Sequence, residues 1–172
     1  MKKSVKIYNK KSQQTLDISF GVIFSIILIV FFIVIAGIVI KSFLNSKNCA
    51  QTGIFIDKLD GDVRKTWNSQ FDSHTFKGSL PGSINYVCFA NLSKSSRGEY
   101  RGIYSDISLY PGKNTFLYPT SKACELPANF IDHLDIEQIT AKNNPNCIAV
   151  EKGIINLQVE KELNERFVNI KI

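Results

Sequence analysis

The sequence is poor in the residues on which most catalytic and metal sites depend. It holds 2 histidines, His74 and His133, and neither has a second histidine at the spacing that helices or hairpins use for metal ligands. It also lacks the G-x-S-x-G nucleophile motif and the glycine-rich phosphate loops. We therefore predict no metal, no cofactor and no enzymatic activity, and we assign both histidines to the surface.

Charged residues are absent from positions 18–40, where the only polar side chains are those of Ser19 and Ser25. A helix of this length rises about 35 Å, and the apolar core of a bilayer is about 30 Å thick. A soluble helix as long as this would normally carry a polar face. The run therefore predicts a membrane-spanning helix.

Acidic residues are absent from the first twelve positions. These positions hold five lysines, Lys2, Lys3, Lys6, Lys10 and Lys11. The positive-inside rule then puts the N-terminus in the cytoplasm and the C-terminal part outside the cell. Without these five lysines the 21 basic residues fall to 16, against 15 acidic ones, so the net charge of +6 does not indicate a nucleic-acid partner.

These observations divide the chain into three parts. We predict a basic cytoplasmic leader over residues 1–12, a membrane-spanning helix with its exit over 13–48, and an extracellular domain over 49–172. None of the four cysteines forms a C-x-x-C pair, which argues against a zinc or redox motif. An even number of cysteines outside the cell indicates two disulfides, and three pairings are open. The cysteines are Cys49, Cys88, Cys124 and Cys147.

The extracellular part predicts a small α+β domain. Phe55, Leu59, Val63 and Trp67 recur every four residues, which predicts a second, amphipathic helix over residues 50–71 that can continue the membrane helix outward. Residues 72–79 are rich in turn formers and predict a loop. Strand patterns follow, and we expect an antiparallel sheet whose dry face packs on the amphipathic helix. The predicted strands are 84–90, 115–118, 134–137, 147–150, 155–159 and 168–172.

Two further features could belong to a surface function. Asn91 begins an N-x-S sequon in a polar loop, which is compatible with glycosylation. A group of aromatic residues could form a carbohydrate-binding surface, but we predict that it fills the core and edges of the sheet instead. These aromatic residues are Tyr100, Tyr104, Tyr110, Phe116 and Tyr118.

The junction before the apolar run has the sequence Lys-Lys-Ser-Gln-Gln-Thr-Leu-Asp over residues 10–17. It resembles the class III signal peptide of type IV pilins, and most closely the archaeal form. In that family a basic leader ends in two basic residues and a small one, and a prepilin-type peptidase cuts before a glutamine. Ser12 and Gln13 match the cut bond here. Serine at position 12 stands where the family more often has glycine or alanine.

The resemblance implies a role for Asp17, which would be the fifth residue of the mature chain. In the family an acid at this position, more often glutamate, is thought to meet the new N-terminal amine of a neighbouring subunit. A carboxylate at the edge of a hydrocarbon-buried helix is costly unless it is paired. Taken by itself, Asp17 also fits an ordinary helix N-terminus, where it would cap backbone amides.

The resemblance covers about thirty residues and implies a subunit of an extracellular filament that contacts lipid, the peptidase and copies of itself or related pilins. The task of such a filament, whether adhesion, motility, uptake or secretion, stays open. The alternative is a single-pass membrane protein that carries a binding or adhesive domain and never polymerises. A third possibility is an accessory subunit of a membrane complex.

Overall fold

The computed structural model describes the backbone of residues 14–171 and the side chains of residues 20–171. Helix α1 (Gln14–Trp67) opens the described part. Seven strands and two short α-helices follow in the described part. They are β1 (Asp72–Ser79), β2 (Tyr86–Phe89), α2 (Tyr104–Ile107), β3 (Thr115–Tyr118), β4 (Ala128–Asn129), α3 (Ile136–Ile139), β5 (Asn146–Ala149), β6 (Ile154–Lys161) and β7 (Asn169–Lys171).

The chain divides into two units, Met1–Asn45 and Ser46–Ile172. Every described residue of the first unit belongs to α1. The amphipathic stretch predicted over residues 50–71 is helical as far as Trp67, and it is the C-terminal part of α1 rather than a separate element. The second unit holds the seven described strands, so the chain has the predicted α+β class.

The first sheet of the second unit has the strand order β1-β6-β7, with both pairs antiparallel. Its buried face carries Leu157 and Val159, and these pack in one core with Phe55, Leu59 and Val63 of α1. All five side chains are at most 1% exposed. The period of four in the helix and the period of two in the strand thus meet in one apolar layer, as the sequence predicts.

The helix ends at Trp67, where its last carbonyl groups find partners. The ammonium of Lys161, at the end of β6, donates to the backbone oxygens of Trp67 and of Ser69, the latter at 2.9 Å. A cation is favourable at this position because the C-terminus of a helix carries partial negative charge. This contact fixes the end of the helix to the first sheet.

The second sheet has the order β4-β3-β2-β5 and surrounds a smaller core. Its centre is formed by Phe116, Ile107 and the cysteines Cys88 and Cys147, each at most 3% exposed. The strands therefore form two antiparallel sheets rather than the single sheet that the sequence predicts.

Two local predictions are wrong. Residues 72–79, predicted as a loop, form strand β1, which pairs with β6 along its whole length from Asp72 opposite Lys161 to Ser79 opposite Ile154. Residues 134–137, predicted as a strand, contain one bridge between Leu134 and Val168 and then enter α3. A helix forms here instead of a strand because the Asp135 side chain accepts from the Gln138 amide at 2.9 Å and caps the first turn.

Candidate functional site

The apolar surface of α1 is the most extended feature of the first unit. Its large hydrophobic side chains over residues 20–44 are all exposed, from 39% at Leu28 to 73% at Phe20. The hydroxyl of Ser25 donates to the Gly21 carbonyl oxygen at 2.8 Å, so it is satisfied within the helix. Among the described residues, this one helix is long and apolar enough to cross a membrane.

Small residues interrupt this apolar surface at Gly21 and Gly37. A Cβ built on either glycine would meet nothing within 4 Å in one copy of the chain. Glycines of this kind let a second helix approach closely in an apolar environment. The surface can therefore be covered by lipid or by helices of other chains.

The residues predicted to take part in processing lie mostly outside the described part. Ser12 and Gln13 precede residue 14, where the description of the structure begins. Asp17 lies in the first turns of α1, but its side chain is outside the described side chains. The cut bond and the proposed role of Asp17 therefore stay predictions.

The four cysteines form two disulfides. Cys49 in α1 bonds to Cys124, with 5.6 Å between the Cα atoms, and the bond closes a span of 75 residues. Cys88 and Cys147 face each other in register on β2 and β5 and form the second bond, across 59 residues. The sequence predicts two bonds, and the structure selects one of the three pairings. Both lie within Ser46–Ile172.

The sequon residue Asn91 lies in a loop directly after β2. A buried amide that was not predicted from the sequence holds this loop: Asn144 accepts from the Asn91 backbone N–H at 3.0 Å and donates to the Asn91 carbonyl oxygen at 2.9 Å. The Asn91 side chain is partly exposed and accepts from the Ser93 amide at 3.0 Å. Glycosylation stays a prediction.

The aromatic group predicted to fill the sheet region does so. Phe116 is fully buried, and Tyr100, Tyr110 and Tyr118 are partly buried against the smaller core. The Tyr104 hydroxyl donates to the Lys94 carbonyl oxygen at 2.8 Å. These side chains therefore support the fold.

His74 joins the helix to the first sheet. It lies on β1, and its Nε2 is 2.8 Å from Oδ2 of Asp62 on α1. Its Nδ1 is 3.4 Å from Oδ1 of Asp72, and Oδ2 of Asp72 accepts from the buried hydroxyl of Thr66 at 3.1 Å. The sequence predicts His74 alone in a loop and does not indicate this cluster, because the two carboxylates come together only when β1 forms.

The two carboxylates change the protonation of His74. The hydrogen bond to Asp62 raises the pKa of His74 above 6.5; partial burial opposes this, and the charges of both aspartates add to it. For Asp72, partial burial favours the neutral acid, but the hydrogen bond from Thr66 and the charge of His74 outweigh it and lower its pKa below 3.8. The contacts thus favour the protonated form of His74 and the ionised form of Asp72.

His133 was expected at the start of a strand, but it lies in a turn with φ of 67°. Its ring stacks on Trp67, with 3.7 Å between ring centroids and 5° between planes. The Trp67 indole N–H donates to the Arg166 carbonyl oxygen at 3.1 Å. Trp67 therefore joins helix and sheet, as predicted, and His133 covers it.

Comparison with protein-family models, with curated proteins and with solved structures found no match. Within residues 20–171 no group of three or more His, Cys, Asp and Glu side chains could hold a metal ion. The candidate functional features of the described residues are the apolar surface of α1 and the surfaces of the second unit.

Proposed function

We propose that the chain is a pilin-like subunit of an extracellular filament of the type IV pilus type. Residues 1–12 are a cytoplasmic leader that a prepilin-type peptidase removes between Ser12 and Gln13. The mature chain is held in the membrane by the apolar part of α1 and later assembles through the same surface. The second unit, with its two disulfides, lies outside the cell.

One observation carries the proposal: a basic-basic-small-glutamine junction stands directly before a long helix whose apolar side chains are exposed. The junction supplies the cut bond, and α1 carries the exposed apolar side chains that follow it. The exposed apolar surface over residues 20–44 would span about 37 Å as a helix. Lipid covers such a surface before assembly, and neighbouring helices can cover it afterwards.

Cleavage would change the charge at the membrane edge in a way that favours assembly. It removes the five leader lysines and creates an α-amine at Gln13. An amine of a neighbouring subunit is then a partner for Asp17, and pairing lowers the cost of a carboxylate near hydrocarbon. Before cleavage this amine does not exist, so the uncut chain stays in the membrane as a single anchor.

The first experiment is mass spectrometry of the N-terminus of the full chain isolated from its native membrane. A mature chain that starts at Gln13 supports the proposal. A chain that keeps residues 1–12 contradicts it and favours the permanent anchor with a binding or adhesive domain.

The second experiment separates cleavage from assembly. Asp17→Ala should still be cut but should abolish filaments seen by electron microscopy, whereas Asp17→Glu should keep them because it keeps the charge. Asp57→Ala, which removes an exposed acid of α1 in the second unit, is the matched control and should assemble normally. Normal filaments from Asp17→Ala would refute the role given to this carboxylate.

A further inference from the structure

A groove opens on the second unit between α1 and β1. It has a volume of about 260 Å³ and is mainly apolar, with Phe55 and Phe76 in its wall and Ile54 and Ile154 at its mouth. The two isoleucines are 54% and 40% exposed. Apolar side chains left open around a concave site are typical of an interaction surface.

The charged residues that line this groove are both cations, Lys58 on α1 and Lys77 on β1. Both are exposed, and neither forms an ion pair with any residue in 20–171. We call this site the lysine groove. Its chemistry fits an apolar side chain that is flanked by carboxylates.

A surface of that chemistry lies on the same unit, in the turn after β6. The Glu165 amide donates to the Glu162 carbonyl oxygen at 3.2 Å, and the Glu165 carboxylate accepts from the Glu162 amide at 3.2 Å. The turn holds Leu163 at its tip, where the side chain is 66% exposed. We call residues 162–165 the acidic turn.

Three basic residues lie near the acidic turn. The Lys171 ammonium pairs with the Glu160 carboxylate, which raises the pKa of Lys171, and the charges of Glu162 and Glu165 add to this shift. The Lys161 ammonium is directed to the end of α1, where it donates to the Ser69 carbonyl oxygen at 2.9 Å. The Arg166 guanidinium lies over the Phe167 ring, 5.2 Å from its centroid. The tip of the turn therefore presents a leucine between two glutamates.

The groove and the turn lie at opposite ends of strand β6. Ile154, the first residue of β6, lines the groove, and the turn begins directly after Lys161, the last. Eight residues of strand cover about 23 Å, so one copy cannot place its own turn in its own groove. A second copy can, and such a head-to-tail contact repeats from copy to copy instead of closing on itself.

We propose that the lysine groove of one copy takes the acidic turn of a second copy. Leu163 inserts between Ile54 and Ile154, and the two glutamates face the two lysines. The inference rests on the proposed function, because it takes copies of the chain to be neighbours in a filament. It adds a specific contact between second units that the apolar helix does not require.

The test is cross-linking of the full chain in its native cells with a short bismaleimide. Ile54→Cys combined with Leu163→Cys should give a ladder of dimers, trimers and longer products, because each copy offers both positions. Either substitution alone should give no dimer, since a head-to-tail contact never brings two equal positions together. Dimers from a single substitution would mean a two-fold contact and would overturn the proposal.

Charge reversal in the same background tests the pairing. Lys58→Glu with Lys77→Glu should reduce the ladder about tenfold or more, and adding Glu162→Lys with Glu165→Lys should restore it. The matched control is Lys122→Glu with Lys142→Glu, which reverses two exposed lysines outside both surfaces and should leave the ladder unchanged. A ladder that charge reversal does not reduce, or that the second reversal does not restore, would contradict the pairing.

Electron microscopy of the same samples separates this inference from the proposed function. Filaments together with the ladder support both. Filaments without the ladder overturn the docking of the acidic turn and leave the proposed function standing. If neither filaments nor ladder form in cells that carry the unmodified assembly machinery, the proposed function fails and this inference fails with it.

Discussion

Gly78 on strand β1 should tolerate no side chain, because the ring of Phe55 occupies the space where a Cβ would go. A Cβ built on Gly78 lies 2.4 Å and 2.6 Å from Cε2 and Cδ2 of Phe55 and 3.0 Å from Cε1 of Phe76. Carbon atoms in contact are normally about 3.5–4.0 Å apart, so Gly78→Ala requires a shift of about 1 Å. Phe55 is 1% exposed and packs edge-on against Phe76, which leaves its ring little freedom to move.

Overpacking of this kind costs about 1–3 kcal/mol, and we expect Gly78→Ala to lower the free energy of unfolding by that amount. Gly82→Ala is the matched control, since its Cβ would meet nothing within 4 Å and its φ is not positive. That control should change stability by about 0.5 kcal/mol or less, or raise it slightly through the unfolded chain. The predicted gap between the two variants is therefore at least about 0.5 kcal/mol.

The assay is guanidinium denaturation of the full chain in detergent, followed by the fluorescence of Trp67, the only tryptophan. Trp67 packs against the same core as Phe55, so its signal reports the unfolding of the unit in which Gly78→Ala acts. A double-mutant cycle tests the cause: Gly78→Ala should cost clearly less in a Phe55→Leu background, where the side chain at position 55 is smaller. Equal stability of the Gly78 and Gly82 variants, or an undiminished cost in the Phe55→Leu background, would refute the steric argument.

Three further predictions concern the second unit. Removing the first disulfide with Cys49→Ser and Cys124→Ser should lower the free energy of unfolding by about 2–4 kcal/mol, as measured by denaturation, because the bond closes 75 residues. His74→Gln should remove a stabilisation that is fully present below pH 6.5 and is lost as the pH rises through the elevated pKa of His74 in the folded state. Because the ring is one-third exposed, the contribution of His74 to the free energy of unfolding, measured by denaturation, should change by about 1 kcal/mol or less between pH ~5.5 and ~8.5. Asn144→Leu should cost about 1–3 kcal/mol and speed hydrogen exchange at the Asn91 amide; unchanged exchange would contradict the proposed support of that loop.

The parts of the fold that the sequence predicts well are those in which one periodicity dominates. The uncharged run predicts a membrane-spanning helix because nothing interrupts it. Strand β6 is equally clear, since Ile155, Leu157 and Val159 alternate with polar residues and all three are buried. In both elements neighbouring residues along the chain show the pattern directly, so the element can be predicted without knowing which distant residues it contacts.

Strand β1 was not predicted because its sequence, DSHTFKGS, carries only one large apolar side chain and therefore shows no strand-like alternation. It is a strand because β6 supplies a continuous antiparallel partner and because Phe76 and Gly78 face the helix. Propensity alone cannot indicate such an edge strand, since the stabilising contacts come from residues about eighty positions later. The His74 cluster was missed for the same reason.

The prediction for the region around α3 is wrong for the opposite reason. The sequence there contains a local signal for a helix, but the prediction followed the strand-like alternation instead. Leu134 and Ile136 alternate with acids, which suggests a strand, but Asp135 followed by Gln138 is a helix N-terminus pattern. A capping hydrogen bond is made within four residues, whereas a strand would have needed a partner along its whole length. The disulfide pairing could not be predicted from the sequence either, since Cys88 and Cys147 meet only through the pairing of β2 with β5.

An apolar helix surface favours association but cannot by itself set the register of the associated chains. Burial of apolar area is non-directional, so shifting one helix along another by a turn changes little as long as similar area is covered. Charged groups supply the register, because a misplaced carboxylate or ammonium is left without its partner. In the proposed filament Asp17 would fix the helices, while the acidic turn and the lysine groove would fix the second units. Two independent charged contacts on one chain would then define a single repeat, which is what distinguishes an ordered filament from an aggregate of membrane helices.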